Sequence, residues 1–288
     1  MKLPHLSRRS LLVTAALVGT VSLAIGANAA LSKRALDAAN AIATEQGAAT
    51  ASKSARLALI IGNGHYPDAG EPLAQPINDA RALSGALRRD GFDVDVIEDA
   101  SKDDMGRAIE RLKGKITEDS VVMLFFGGYG VQSGGESYMI PVDAAIWQEA
   151  DVRRNGFSVE GVLEAMKARG ARAKLMVIDA SRRNPYERRF RTYSHGLAPI
   201  NAPDNALILT SATPGKVVDD SAGRHSVLVG ELLNHIDRKA AVGAEAAFNK
   251  TRIAVTRASD GEQVPSVSSS LLEDIRFGRD GYFSFQTR

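Results

Sequence analysis

The strongest constraint on the fold is a regular alternation of short apolar runs with segments of helical periodicity. Each run suits a strand that is buried on both faces of a sheet. Between the runs, apolar residues recur at three- and four-residue spacings, as in Ala80, Leu83 and Leu87. This alternation predicts an α/β fold, with a mostly parallel sheet of about six strands and helices on both faces. The predicted strands are 57–61, 92–97, 121–126, 174–178 and 206–210, with 275–277 closing the sheet and 137–142 as an accessory strand.

The first 29 residues have the features of an export signal. Paired arginines, Arg8 and Arg9, precede an apolar run over 11–25 and a small-residue site at Ala27-Asn28-Ala29. Paired arginines before such a run predict twin-arginine export, hence a periplasmic or otherwise exported protein. The alternative is a signal that is kept as a membrane anchor, although the run is short for a span.

The rest of the chain is predicted to form one domain over residues 55–278. Residues 30–54 are rich in Ala, Ser, Lys and Thr and are interpreted as a linker. Residues 279–288 are interpreted as a C-terminal tail, and no internal repeat or second domain is evident.

Charge and composition exclude several classes of function. The 36 basic and 34 acidic residues give a net charge of +2, and removal of residues 1–29 leaves 33 against 34. This balance argues against a nucleic-acid binder that depends on bulk charge. With no cysteine in the chain, disulfides, thiolate metal sites and a cysteine nucleophile are excluded. We expect no stable membrane span after signal cleavage, and the oligomeric state stays open.

Two predicted strand ends carry polar and glycine-rich sequences. One strand runs into Gly127-Gly128-Tyr129-Gly130 and another into Asp179-Ala180-Ser181-Arg182. Ligands of open α/β sheets bind beyond the carboxyl ends of the strands. If these two strands are neighbours, Tyr129 and Ser181 face each other across one crevice.

The order and spacing of these motifs resemble the caspase and metacaspase family, particularly its bacterial branch. The resemblance runs from about residue 56 to 278 and implies a caspase-like sandwich and a relationship to cysteine-type endopeptidases. The motifs are Ile61-Gly62-Asn63-Gly64-His65-Tyr66, Pro76-Ile77-Asn78-Asp79-Ala80, Phe125 to Gly130, Tyr138 to Asp143, Ile178 to Pro185, Gly196-Leu197-Ala198, Gln263-Val264-Pro265 and Ser268 to Leu271.

The resemblance also shows that both members of the catalytic dyad are replaced. Active relatives carry histidine at the first strand end and cysteine at the second, where this chain has Tyr129 and Ser181. A tyrosine with an ordinary pKa is neutral at pH 7, and a serine hydroxyl needs a positioned base. We therefore expect a pseudopeptidase with a peptide-binding or regulatory role, in which Tyr129 and Ser181 hydrogen-bond to each other.

Other parts of the family site are expected to survive. By resemblance, the backbone N–H groups of Gly130 and Ser181 form an oxyanion hole, which does not depend on side-chain identity. In metacaspase-like relatives, the residue at the position of Asp179 contributes to a substrate pocket for basic side chains. Here it either keeps that role or pairs with Arg182 or Arg183, and the sequence favours neither alternative.

The alternative function is an active peptidase or serine hydrolase in which Ser181 is the nucleophile and His195 or His225 the base. The expected partner is a peptide or protein ligand, and no cofactor is expected. By resemblance alone, calcium could bind at Asp103-Asp104 or Asp219-Asp220, although helix capping explains Asp103 equally well. The basic residues Arg182-Arg183 and Arg188 to Arg191 indicate either an acidic partner or a solvated loop.

Overall fold

A computed structural model of the chain describes residues 55–183, 185–190, 196–218, 223–236 and 241–278. The predicted export signal and linker, at residues 1–54, and the predicted tail, at 279–288, lie outside the described residues. The described part is an α/β sandwich, as the strand and helix patterns predict.

The described residues form eleven strands in three sheets. The central sheet has six strands in the order β10-β8-β7-β3-β1-β2, and all neighbouring pairs are parallel except β10 with β8. A smaller sheet contains β4, β5 and β6, and β9 pairs with β11. The strands are β1 (Arg56–Gly62), β2 (Asp93–Glu98), β3 (Val121–Gly127), β4 (Gly130–Ser133), β5 (Glu136–Met139), β6 (Phe157–Ser158), β7 (Ala173–Asp179), β8 (Ala206–Thr210), β9 (Val242–Gly243), β10 (Ser266–Ser269) and β11 (Arg276–Phe277).

Within the described ranges, six α-helices cover the two faces of the central sheet or support the smaller sheet. They are α1 (Pro76–Arg89), α2 (Lys102–Lys115), α3 (Glu149–Asn155), α4 (Val159–Ala168), α5 (Val227–Ile236) and α6 (Ala244–Ala258), with a 3₁₀ turn at Glu187–Arg189. Helix α1 ends at Arg89, and Gly91, two residues further on, adopts a φ of +84°. None of the helices in the described ranges is long and apolar enough to cross a membrane.

The period-two alternation of the strands divides the core into two layers. Ile60, Phe125 and Val177 pack against α1, α5 and α6 on one face of the sheet. Ile61 and Phe126, which alternate with them, pack against α2 and α4 on the other face. Because every side chain of β3 is buried, this strand reads as an uninterrupted apolar run in the sequence.

The prediction for the sixth strand of the central sheet is wrong. Residues 276–277 form β11, which pairs with β9 in a separate ribbon, and the sixth strand is β10, Ser266–Ser269. An edge strand needs few apolar side chains, and β10 has only Val267 packed against the core. Its serine-rich sequence therefore carries no apolar-run signal.

Candidate functional site

The two strand ends singled out by the sequence lie side by side at the carboxyl edge of the central sheet. β3 and β7 are parallel neighbours, and their last residues, Gly127 and Asp179, are paired in the register. The two strands remain hydrogen-bonded beyond this pair, because the Gly128 N–H donates to the Asp179 carbonyl at 3.3 Å. Tyr129 and Ser181 therefore follow their strands at matching positions, as the sequence predicts.

Tyr129 is buried in an aromatic cluster. Its ring meets that of Tyr66 edge-on, with 4.7 Å between the ring centroids. The Tyr129 backbone N–H donates to the Tyr66 hydroxyl at 3.1 Å, and this hydroxyl donates to the Ile140 carbonyl at 2.9 Å. Burial raises the pKa of the Tyr66 hydroxyl far above its ordinary value, so this hydroxyl stays protonated. Tyr186 and Phe190 complete the cluster, which makes this side of the site apolar.

Ser181 is buried but its hydroxyl has no hydrogen-bond partner. The residue is 1% exposed, and its Oγ contacts no donor or acceptor within hydrogen-bond distance in the described ranges. The predicted hydrogen bond between Tyr129 and Ser181 is therefore wrong. The reason is packing, since the Tyr129 ring belongs to the aromatic cluster around Tyr66.

The two backbone N–H groups assigned to an oxyanion hole by resemblance donate within the protein. The Gly130 N–H donates to the Ala180 carbonyl at 2.9 Å, and the Ser181 N–H donates to the Ser211 hydroxyl at 3.2 Å. A carbonyl oxygen entering the site would have to compete with these acceptors. The packing around Gly130 is also tight, because a Cβ there would lie 2.6 Å from a methyl carbon of Leu197.

Asp179 pairs with a cation from its own chain. The Arg182 guanidinium lies 3.6 Å from the Asp179 carboxylate, and both side chains are almost completely buried. Arg182 also donates to the backbone carbonyls of Gly128, at 3.1 Å, and Asp179. Arg183 is exposed. Of the two alternatives for Asp179, the ion pair with Arg182 is present, and a role in substrate binding stays a prediction.

A second buried carboxylate, Asp79 of α1, reaches the same region. Its carboxyl group bonds to His225 Nδ1 at 2.8 Å and accepts from the Ser226 backbone N–H at 3.2 Å. Burial raises the pKa of the Asp79 carboxyl to about 7, and the nearby Asp179 carboxylate adds to the increase. The hydrogen bonds from His225 and Ser226 act in the opposite direction without cancelling it.

Asp79 was not singled out as a site residue, because in the sequence it is only one member of the motif Pro76 to Ala80. Helix α1 begins at Pro76, so Asp79 lies within its first turn. A usable signal was present, since Asp79, Leu83 and Leu87 share one face at four-residue spacing and all three are buried. A charged residue on an otherwise apolar helix face indicates a buried polar interaction.

The raised pKa of Asp79 predicts that stability falls as the pH rises. Between about pH 4 and 7, the folded protein holds a proton that the unfolded chain releases, so the free energy of unfolding decreases across this window. Each pKa unit corresponds to about 1.4 kcal/mol, so we expect a decrease of a few kcal/mol. Urea unfolding at pH 5 and pH 8 measures it.

Asp79→Asn should flatten this dependence, because the amide does not titrate. A surface control is Asp95→Asn, which removes a half-exposed ion pair with Arg111. The control should keep the pH dependence of the natural protein. Equal profiles for Asp79→Asn and the natural protein would contradict the assignment.

The histidines considered as alternative bases are placed differently. His225 bonds to the buried aspartate of α1. A further histidine, His65, is exposed in the loop after β1 and bonds to Asp99 at 2.6 Å. Neither lies within hydrogen-bond distance of Ser181 Oγ. His195 lies outside the described residues.

The acidic pairs considered for calcium are accounted for only in part. Capping was predicted for Asp103, but the residue that completes the capping box with Ser101 at the start of α2 is Asp104. Asp219-Asp220 lies outside the described residues. No group of three or more metal-ligating side chains occurs within the described ranges. The absence of a cofactor stays a prediction.

The basic segment after Ser181 divides into residues with different surroundings. Arg183 and Arg188 are exposed. Arg189 instead pairs with Asp68 at 3.1 Å, and Arg191 lies outside the described residues. The segment is therefore not a uniformly solvated loop.

Sequence comparisons point to the same family as the site. The family model of the caspase domain, Peptidase_C14, matches residues 55–276. The chain is also 27% identical over 133 residues to the human mucosa-associated lymphoid tissue lymphoma translocation protein 1, and to its mouse homolog at the same level. These alignments cover 46% of this chain but only 16% of each relative. The family match spans most of the chain and includes both strand ends of the site, so the chain belongs to the caspase-domain family.

Proposed function

We infer that this caspase-domain protein binds peptide or protein ligands without cleaving them. The observation that carries the proposal is the buried Ser181 hydroxyl, which has no hydrogen-bonded base in the described ranges and lies at the position facing Tyr129. A serine nucleophile needs a base within hydrogen-bond reach, and among the described residues neither Tyr129 nor any other group is hydrogen-bonded to the Ser181 hydroxyl. Loss of a general base alone costs about 10²–10⁴-fold in rate.

The surroundings of the two strand ends support the absence of cleavage. Tyr129 belongs to an aromatic cluster, and the two predicted oxyanion donors are bonded to acceptors of the protein. The framework that presents the strand ends is retained, since β3 and β7 keep full parallel pairing as far as Gly127 and Asp179. A retained framework with altered chemistry favours a binding or regulatory role.

The proposed location is the periplasm or another exported compartment. Its support is the sequence of residues 1–29, in which Arg8 and Arg9 precede an apolar run and a small-residue cleavage site. Fractionation of cells that produce the full chain tests the location separately from the activity.

The activity is tested by incubating the purified protein with a broad peptide library and a fluorophosphonate probe. We expect no cleavage above that of the Ser181→Ala variant and no labelling of Ser181, together with saturable retention of a subset of peptides. Labelling that disappears in Ser181→Ala would instead favour the alternative, a serine hydrolase with Ser181 as its nucleophile, and the same assay on His225→Ala and His195→Ala would then identify its base. Cleavage that disappears in Ser181→Ala would also overturn the proposal.

A further inference from the structure

The segment that follows Ser181 folds back over the aromatic side of the site. Within Pro185–Phe190, the Tyr186 side chain is 1% exposed and Phe190 is almost as deeply buried. Both belong to the aromatic cluster that contains Tyr129. This segment, here called the lid, therefore packs into the same buried cluster as Tyr129.

One side chain fastens the lid to two other loops. The two terminal nitrogens of Arg189 donate to the two carboxylate oxygens of Asp68, at 3.3 and 3.1 Å. Arg189 also donates to the Ile146 carbonyl at 2.6 Å. Its guanidinium lies 4.9 Å from the centroid of the Trp147 ring. Each of these groups matches one property of a guanidinium. The carboxylate pairs with its charge, the carbonyl accepts from one of its N–H donors, and the aromatic face stacks on its plane.

The groups that hold Arg189 remain partly open to solvent. Trp147 is 73% exposed, although large aromatic side chains are usually buried, and the Asp68 side chain is 35% exposed. A partly exposed ion pair is weak compared with a buried one. A ligand that carries its own guanidinium can therefore compete for this cradle, formed by Asp68, the Ile146 carbonyl and Trp147.

We propose that this cradle is a binding site for an arginine side chain of a peptide ligand, and that Arg189 occupies it in cis and so holds the lid closed over the site. The ligand's arginine replaces Arg189 between Asp68 and Trp147, and Tyr186 and Phe190 then withdraw from the aromatic cluster. This proposal rests on the proposed peptide-binding function and specifies the ligand class and the regulation of that site.

The chain contains a single tryptophan, so its fluorescence reports on the cradle alone. Arg189→Gln and Asp68→Asn should both alter the Trp147 emission and increase its quenching by acrylamide. Arg183→Gln is the matched control, because it removes an exposed arginine of the same basic segment and should leave the emission unchanged. Unchanged emission and quenching in Arg189→Gln would overturn the role of Arg189.

Binding in trans is tested with the synthetic hexapeptide PYERRF, the sequence of the lid itself. We expect Arg189→Gln to bind it at least about tenfold more tightly than the natural protein, a difference of about 1.4 kcal/mol. The peptide with glutamine in place of its second arginine should not bind, and neither should PYERRF bind the Asp68→Asn/Arg189→Gln protein. Equal affinities for the two proteins, equal affinities for the two peptides, or no binding to Arg189→Gln would each overturn the proposal.

Each of the two proposals can be refuted without refuting the other. Labelling of Ser181 by the fluorophosphonate probe would refute the inactive assignment but would not alter the fluorescence or the binding of PYERRF. Conversely, failure of PYERRF to bind Arg189→Gln would remove the cradle as a ligand site while other peptides from the library could still be retained.

Discussion

Replacing Arg182 with alanine should lower the free energy of unfolding by roughly 3–5 kcal/mol. The Arg182 side chain is 4% exposed and provides the cation opposite the buried Asp179 carboxylate. It also donates to the backbone carbonyl of Gly128 at 3.1 Å, which joins the ends of β3 and β7. Alanine would leave a buried carboxylate without its cation and would remove a donor from buried carbonyl groups.

Three further variants separate the contribution of the ion pair from the loss of an arginine side chain: Arg183→Ala, Asp179→Asn and the double variant Asp179→Asn/Arg182→Ala. Arg183→Ala is the matched control, because its side chain is exposed and its effect should be within about 0.5 kcal/mol. Asp179→Asn combined with Arg182→Ala should recover part of the loss, since the remaining buried charge is then removed. Guanidinium chloride unfolding gives all the values. Strictly additive effects of Arg182→Ala and Asp179→Asn would show that the pair is not coupled.

Gly196→Ala should be similarly destabilising for a different reason. Gly196 has a φ of +62°, which costs an L-residue roughly 1–2 kcal/mol. A Cβ at this position would also lie 2.1 Å from the Lys216 carbonyl oxygen, a backbone atom that cannot move aside alone. Overpacking of this kind adds roughly 1–3 kcal/mol, so we expect a total of about 2–5 kcal/mol.

Gly215→Ala provides a control with matched backbone strain. Gly215 has a φ of +75°, but a Cβ there would meet no atom within 4 Å. Its cost should therefore be only that of the backbone conformation, about 1–2 kcal/mol. The difference between the two variants in thermal or chemical unfolding isolates the contact with Lys216. Equal losses would contradict that explanation.

The structural change that makes Gly196→Ala less stable should also affect the candidate site. Leu197, the next residue, packs against Gly130 so closely that a Cβ on Gly130 would lie 2.6 Å from its side chain. The Gly215 N–H donates to the Leu197 carbonyl at 3.0 Å, which holds this loop in place. The stability of the loop and the geometry after β3 are therefore linked through Leu197.

The central layers of the fold were predictable because burial on both faces of the sheet produces a recognisable pattern of apolar residues in the local sequence. A strand such as β3 must be apolar at every position, and the helices that cover it must be apolar on one side. The edge strand β10 was not predictable in this way, since only Val267 among its four residues packs against the core. The position of β10 is set by its backbone hydrogen bonds to β8, and such bonds can be made by almost any residue type, so they cannot be recognised from the sequence.

The candidate site was predictable in position but not in its interactions. The motifs placed Tyr129 and Ser181 at matching strand ends, because parallel neighbours end at the same edge of a sheet. The expected hydrogen bond between them was wrong, since the direction of a side chain depends on what packs around it. Tyr66, Tyr186 and Phe190 come from distant parts of the chain and draw the Tyr129 ring into their cluster.

By itself, the sequence determined the α/β alternation, the polar motifs at two strand ends and the absence of any thiol, because each depends on residue type or local spacing. Only the tertiary structure decided which charges meet: Asp179 with Arg182, Asp79 with His225, and Arg189 with Asp68. The last two pairs join residues more than a hundred positions apart. Such pairing depends on how the helices and loops pack at the edge of the sheet, and this packing cannot be predicted from a local sequence pattern.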